Sequence, residues 1–265
     1  DLKKDIYLNE RVVGGTWDDQ FQVWKISTAS GNNFTARFLI TAVGCLSSAN
    51  TPKIEGMTEF SGDIYHTGHW PHETVRFDEK KVAVIGTGSS GIQAIPEIAK
   101  RAKKLFVLQR TPNYSVPARN RPLEPNFQFD FVKKIEFWRA KMMESRHGHP
   151  WVAPDREVKK TAKEKRLEIM ERAWLHGGLR FRESFSDVLV SDDSNEIMSE
   201  FIRQKILKTV INPETANTLL PKDHPFGTKR PPIDTNYYET FNRENVCLCD
   251  LRVNPIKHCE ENGIR

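Results

Sequence analysis

The spacing of apolar positions changes three times along the chain, and each change predicts a different kind of element. Over the first fifty residues it is strand-like. FQVWKIST (21–28) alternates, NFTARFLITAVG (33–44) is largely apolar, and the Ser30-Gly31-Asn32-Asn33 cluster between them predicts a hairpin turn. A connector marked by proline and glycine, TPKIEGMTEFSGDIYHTGHWP (51–71), holds too few periodic positions for one long helix or strand. Then KKVAVIG (80–86), SGIQAIPEIAKRA (90–102) and KKLFVLQR (103–110) predict strand, helix and strand, a βαβ unit of ordinary length, with Pro96 able to kink the helix.

Residues 127–211 are predicted to be mainly helical. Ile169, Met170, Ala173 and Trp174 recur at three- and four-residue spacing until Gly177 and Gly178 end the run. Asp193 and Glu196 form a D-x-x-E capping pattern ahead of IMSEFIRQKIL (197–207). From Pro221 the pattern returns to loop and strand, with ENVCLCDL (244–251) as its clearest strand. The sequence shows neither an internal repeat nor a low-complexity tract.

Composition narrows the function classes. A length of 265 residues fits one large domain or about two smaller ones, and 38% hydrophobic with 28% charged residues is ordinary for a globular chain. No apolar run is long enough to predict a membrane-spanning helix. The net charge of +5 is mild, and its lysines mingle with acids, as in KKTAKEKRLEIMER (159–172), so a solvated helix face is favoured over a nucleic-acid patch. The four cysteines form no CxxC pair. Cys247 and Cys249 would share one strand face as buried thiols, which fits a reducing, cytoplasmic setting. His147 and His149 have H-x-H spacing without a supporting ligand cluster, so a loop is expected and no metal site.

The chemistry is carried by VAVIGTGSSGIQ (82–93). Its GTGSSG satisfies GxGxxG, follows a strand and opens a helix, the context in which the pattern means dinucleotide binding. Gly86 allows the tight turn, Gly88 lets backbone approach a pyrophosphate, and Gly91 permits close packing of helix on strand. Thr87, Ser89, Ser90 and Gln93 complete the candidate phosphate cradle at the helix N-terminus, whose free N–H groups favour anions. At the end of the next strand, about 20 residues past the glycines, sites for NAD or FAD present an acid to the ribose hydroxyls. This chain presents Arg110, followed by Thr111. A guanidinium cannot accept those hydrogen bonds but pairs bidentately with a 2′-phosphate, so NADP(H) is favoured over NAD(H).

Upstream of the glycines, Phe60, Gly62, His66, Trp70 and Pro71 match F-x-G-x-x-x-H-x-x-x-W-P. That spacing resembles the fingerprint of Baeyer–Villiger monooxygenases, flavoenzymes that insert one oxygen atom of O₂ beside a ketone carbonyl. QRTPNYSVPARNRPL (109–123) is similar to the family's segment after the second strand of its NADPH domain. HPFGTKRPPIDTNYYETFNRENVCLCDLR (224–252) is similar to the segment bearing its active-site arginine, which falls on Arg230 with Lys229 as a second 2′-phosphate ligand. FLITAVGCLS (38–47) resembles the strand that usually reads ATG, with Val43 in place of the threonine.

The resemblance implies an α/β, two-dinucleotide-binding-domain flavoprotein. Residues 1–50 would be a partial, β-rich FAD-binding domain, 51–78 a linker carrying the fingerprint, 79–220 a Rossmann-like NADP-binding domain with a helical insertion at about 127–211, and 221–265 a return to the FAD-binding domain. NADPH and FAD are the implied cofactors, a small ketone and O₂ the substrates, and His66 and Trp70 have structural roles in the linker. The family's earlier GxGxxG for FAD is absent, and Gly14-Gly15-Thr16-Trp17 is expected to be a loop within a hairpin. The chain therefore reads as an internal fragment lacking the remainder of its FAD domain, and is not expected to turn over alone. An N- or S-oxygenating flavin monooxygenase and a non-catalytic NADP(H)-binding module are the alternatives.

Overall fold

The structure, a computed structural model, describes residues 3–145, 148–149 and 154–265. His147 lies outside the described residues, and with it half of the H-x-H pattern. The chain divides into two units, one running to Thr51 and one from Pro52 to Arg265.

In the first unit β1 (Val12–Asp18), β2 (Val23–Thr28) and β3 (Asn33–Ala36) form an antiparallel sheet in the order β1-β2-β3. The turn between β2 and β3 falls where the Ser-Gly-Asn-Asn cluster predicts it, with Gly31 at φ +88°. Gly14-Gly15-Thr16-Trp17 is strand and not loop: Gly15 to Asp18 pair in register with Ile26 to Val23, and Trp17 meets Trp24 edge-on at 5.6 Å. Gly14 has a packing reason there, since a Cβ on it would lie 2.9 Å from Ser27 Oγ, beside an irregularity in the ladder. The apolar run 37–44 forms no strand, and Phe38, Ile40 and Val43 are exposed. An apolar run becomes a strand only beside a partner whose backbone groups it can pair with.

The second unit is organised around a parallel sheet. β4 (Lys81–Ile85) pairs with β5 (Lys104–Gln109), and α1 (Ser89–Ala99) connects them, as the spacing predicts. Pro96 is buried inside α1, which continues to Ala99. The third strand, β8 (Val246–Asp250), pairs parallel with the other side of β5. Residues 221–265 thereby supply a strand to the sheet that carries the glycine turn. Local pattern gives a strand's existence but not its neighbour, which is fixed here by Val246 to Asp250 registering against Leu105 to Gln109. Cys247 and Cys249 stand on that strand half-buried and free, not fully buried; burial pushes the Cys249 thiol up, with Cys247 beside it adding to the effect.

Between the sheet strands the chain makes a helical excursion, with α2 (Phe127–Lys133), α3 (Ile135–Glu144), α4 (Lys163–His176), α5 (Asp192–Thr209) and α6 (Pro213–Leu219). α5 is capped by Ser191, whose side chain accepts from the Ser194 N–H, and not by the Asp193–Glu196 box. A hydroxyl just ahead of the helix satisfies a free N–H directly, while Asp193 already lies inside α5 and pairs with Lys159. Two short parallel strands, β6 (Val116–Pro117) and β7 (Ile233–Asp234), join the two ends of this excursion, and α7 (Tyr237–Thr240) leads on to β8. One continuous core runs from Ile92 and Ile95 of α1 and Leu105 and Val107 of β5 to Phe181, Met198 and Phe226 of the helical part.

The connector is tied to the end of the chain. Cys259 N–H donates to the Glu55 carbonyl at 2.7 Å, and Ser61 donates to the Glu261 carbonyl through both N–H and Oγ, at 2.9 and 2.8 Å. β9 (Cys259–Glu260) and β10 (Gly263–Ile264) form the hairpin that takes part in these bonds. Gly56, at φ +70°, permits the approach; a Cβ there would lie 2.2 Å from the Cys259 carbonyl oxygen.

Candidate nucleotide-binding site

The glycine turn sits at the carboxyl end of β4 and opens α1, the place where open parallel sheets bind nucleotides. Gly86, at φ +100°, makes the turn, and its N–H donates to the Leu108 carbonyl of β5 at 2.9 Å. Gly91 closes it from the helix side: a Cβ there would lie 2.3 Å from the Gly86 carbonyl oxygen. On Gly86 and Gly88, by contrast, a Cβ would meet nothing within 4 Å, so space is open above the backbone where phosphates would approach. No side chain caps α1 at Gly88 and no acid stands in its first turn. The first N–H groups and the positive end of the helix dipole are therefore offered to an anion, and the residues present fit a dinucleotide pyrophosphate. Ser89 and Ser90 begin the helix there, exposed.

Two candidates serve the frame. Thr87 is buried and its hydroxyl donates to the Thr111 carbonyl at 3.2 Å, which locks the glycine turn to the segment after β5. Gln93 uses its amide N–H to donate to the Ile233 carbonyl at 3.2 Å, tying α1 to β7. Arg110 is exposed just beyond β5, and Lys229 and Arg230 are exposed before β7. None of the ion pairs formed among the described residues uses these three cations. The loop before Lys229 is firmly held. Phe226 is fully buried, and Asn195 of α5 both donates to its carbonyl at 2.8 Å and accepts from its N–H at 2.9 Å.

The charges around this edge are unevenly shared. Asp250, at the end of β8, is held below the usual carboxylate range by Arg252, which it engages through both oxygens at 3.0 and 2.8 Å. Asp223 is held low first by its hydrogen bond to His224 at 2.7 Å, and in part by the charge of Lys229. Asp223 in turn adds a small share to holding Arg252 charged.

The fingerprint residues make their contacts away from the glycine turn. Gly62 leaves room for the Phe60 ring, whose Cζ would lie 2.6 Å from a Cβ at that position. His66 caps a 3-10 turn (Thr67–His69), its Nδ1 accepting from the Gly68 N–H at 3.0 Å. Trp70 lies between the rings of Tyr65 and Phe77, with centroids at 5.6 and 6.3 Å, and is half exposed; Pro71 follows it half-buried. His149 pairs with Glu183 at 2.8 Å, and among the described residues no cluster of side chains suits a metal ion. No helix among them is long and apolar enough to cross a membrane.

Sequence reasoning missed a buried cluster behind the site. Ser115 and Asp234, separated by 119 positions, meet at 2.5 Å, and no local spacing announces a contact of that range.

Known proteins resemble this chain along its whole length. A family model described as flavin-binding monooxygenase-like matches residues 18–146. The chain is 40% identical to cyclohexanone 1,2-monooxygenase of an Acinetobacter species, across all of this chain and 49% of that protein. It is 36% identical to a Baeyer–Villiger monooxygenase of Pseudooceanicola batsensis, across all of this chain and 48% of that protein. Among solved structures, an oxidised steroid monooxygenase bound to NADP superposes with a TM-score of 0.93 at 42% identity, over all of this chain and 50% of that one. The chain is thus similar to flavin-binding monooxygenases, Baeyer–Villiger enzymes among them, and it spans about half the length of the curated relatives it matches.

Proposed function

We propose that this chain carries the NADPH-binding domain, and part of the FAD-binding domain, of a monooxygenase that inserts one oxygen atom of O₂ beside a ketone carbonyl to give an ester or lactone. The observation that carries the nucleotide part is the glycine turn at the carboxyl end of β4, open above Gly86 and Gly88 and closed behind by Gly91. The Rossmann assignment of residues 79–220 extends to β8 on this reading.

In the proposed mechanism Gly86 makes the turn, and Gly88, Ser89 and Ser90 hold the pyrophosphate with backbone N–H groups at the start of α1. Arg110, Thr111 and Lys229 hold the 2′-phosphate, two as fixed cations and one through its hydroxyl. When bound, NADPH supplies a hydride to the flavin, and the reduced flavin supplies the means of activating O₂. Arg230 is placed as the cation that faces developing negative charge on the substrate oxygen; an arginine stays charged as water is excluded, and its field strengthens there. His66 holds the connector turn and takes no proton in this scheme.

The test is a titration of the purified chain with NADP⁺ and with NAD⁺, repeated with Arg110→Ala. Wild type is expected to prefer NADP⁺, and the variant to lose about tenfold or more of its NADP⁺ affinity with NAD⁺ affinity retained, as for a charge-assisted bond removed. Equal affinity of wild type for the two nucleotides would rule the 2′-phosphate reading out.

A further inference from the structure

Asp234 follows Lys229 and Arg230 in the segment 224–252, is not among the candidate site residues, and is only 6% exposed. Its Oδ2 accepts from Ser115 Oγ at 2.5 Å and its Oδ1 from the Tyr237 N–H at 3.0 Å. Ser115 is itself fixed. Its N–H donates to the Tyr238 hydroxyl at 3.2 Å, and that hydroxyl donates to the Asn113 carbonyl at 3.1 Å. A carboxyl buried to this extent is costly unless hydrogen bonds hold it, and burial pushes that of Asp234 above the usual carboxylate range.

The cluster stands where two functional segments converge. β6 and β7 pair through Val116 N–H to the Pro232 carbonyl at 3.0 Å and Ala118 N–H to the Asp234 carbonyl at 2.7 Å. Two registered pairs, Val116 with Ile233 and Pro117 with Asp234, make a short ladder, too short to fix a register alone. Because the strands are parallel, the residues ahead of each enter from the same end. Ahead of β6 come Arg110 and Thr111; ahead of β7 come Lys229 and Arg230. We propose that Asp234 is a positioning residue, which through its clamp on Ser115 sets Lys229 and Arg230 against Arg110 and so sets the preference for a 2′-phosphate. The inference rests on the nucleotide reading proposed above.

The experiment measures NADP⁺ and NAD⁺ affinities of the full chain in wild type, Asp234→Asn, Ser115→Ala and Ser115→Thr, with circular dichroism and thermal unfolding on each. In Asp234→Asn and Ser115→Ala the NADP⁺-to-NAD⁺ affinity ratio is expected to fall about tenfold, with NAD⁺ binding, which relies on the glycine turn, unchanged. Ser115→Thr keeps the hydroxyl and is expected to restore the ratio. Should Asp234→Asn not be recovered folded, Ser115→Ala is decisive, because it retains the carboxylate and its bond to the Tyr237 N–H. Folded variants that keep the wild-type ratio, or lose both nucleotides equally, would overturn the positioning role. A wild type without NADP⁺ preference would instead overturn the nucleotide reading on which it rests.

Discussion

Gly91→Ala is expected to abolish detectable NADP⁺ binding and to lower stability, whereas Gly88→Ala is expected to weaken binding alone. The reason is where each new methyl would go. At Gly91 it would sit 2.3 Å from the Gly86 carbonyl oxygen, a backbone atom that cannot swing aside as a side-chain tip would. The turn must open or α1 must shift from β4, and overpacking of this kind costs typically about 1–3 kcal/mol before any ligand is considered. At Gly88 the methyl meets nothing within 4 Å, and φ −79° suits any residue, so the free chain has no reason to change. The methyl then occupies only the space that a pyrophosphate needs. Urea unfolding and nucleotide titration on both variants separate the two roles. Unaltered binding in Gly88→Ala would mean that the open space above the turn is not where phosphates lie.

How far the sequence could carry this picture depends on the range of each contact. The βαβ unit is legible because its signals are local: apolar strands, three glycines at fixed offsets, and an arginine at the next strand end. The hairpin at Ser30 to Asn33 is legible for the same reason. Sheet membership of ENVCLCDL is not, because nothing within those eight residues says that β5 is the neighbour and not a strand of the flavin domain. Asp193 and Glu196 fit a capping pattern by spacing, but the helix starts at Asp192 and Ser191 caps it, and spacing alone does not give the helix start. Gly14-Gly15 looked like a loop because glycine usually marks one, but here the pair lies in a strand, and Gly14 makes room for Ser27 on the partner strand. The Ser115–Asp234 clamp is the extreme case: each residue lies in a stretch singled out from the sequence, but no local spacing pairs two positions 119 apart.

That clamp fixes one end of the loop bearing Lys229 and Arg230; the other end rests on Phe226, and Phe226 rests on Phe181. The Phe181 ring is fully buried and meets Trp174 edge-on at 5.4 Å, stacks with Phe201 at 5.6 Å and meets Phe226 at 5.8 Å. Phe181→Ala is therefore expected to cost roughly 3–5 kcal/mol in urea unfolding, the usual range for emptying a buried aromatic site. The cavity opens directly against Phe226, a few residues before the two cations, while the glycine turn and β4 keep their own contacts. NAD⁺ affinity should consequently survive in the folded variant, and NADP⁺ affinity should fall toward it. A loss below about 1 kcal/mol would show that the helical part collapses to refill the site. An unchanged NADP⁺ affinity alongside the full stability loss would show that Asn195, through its two bonds to the Phe226 backbone, holds the loop without help from the core.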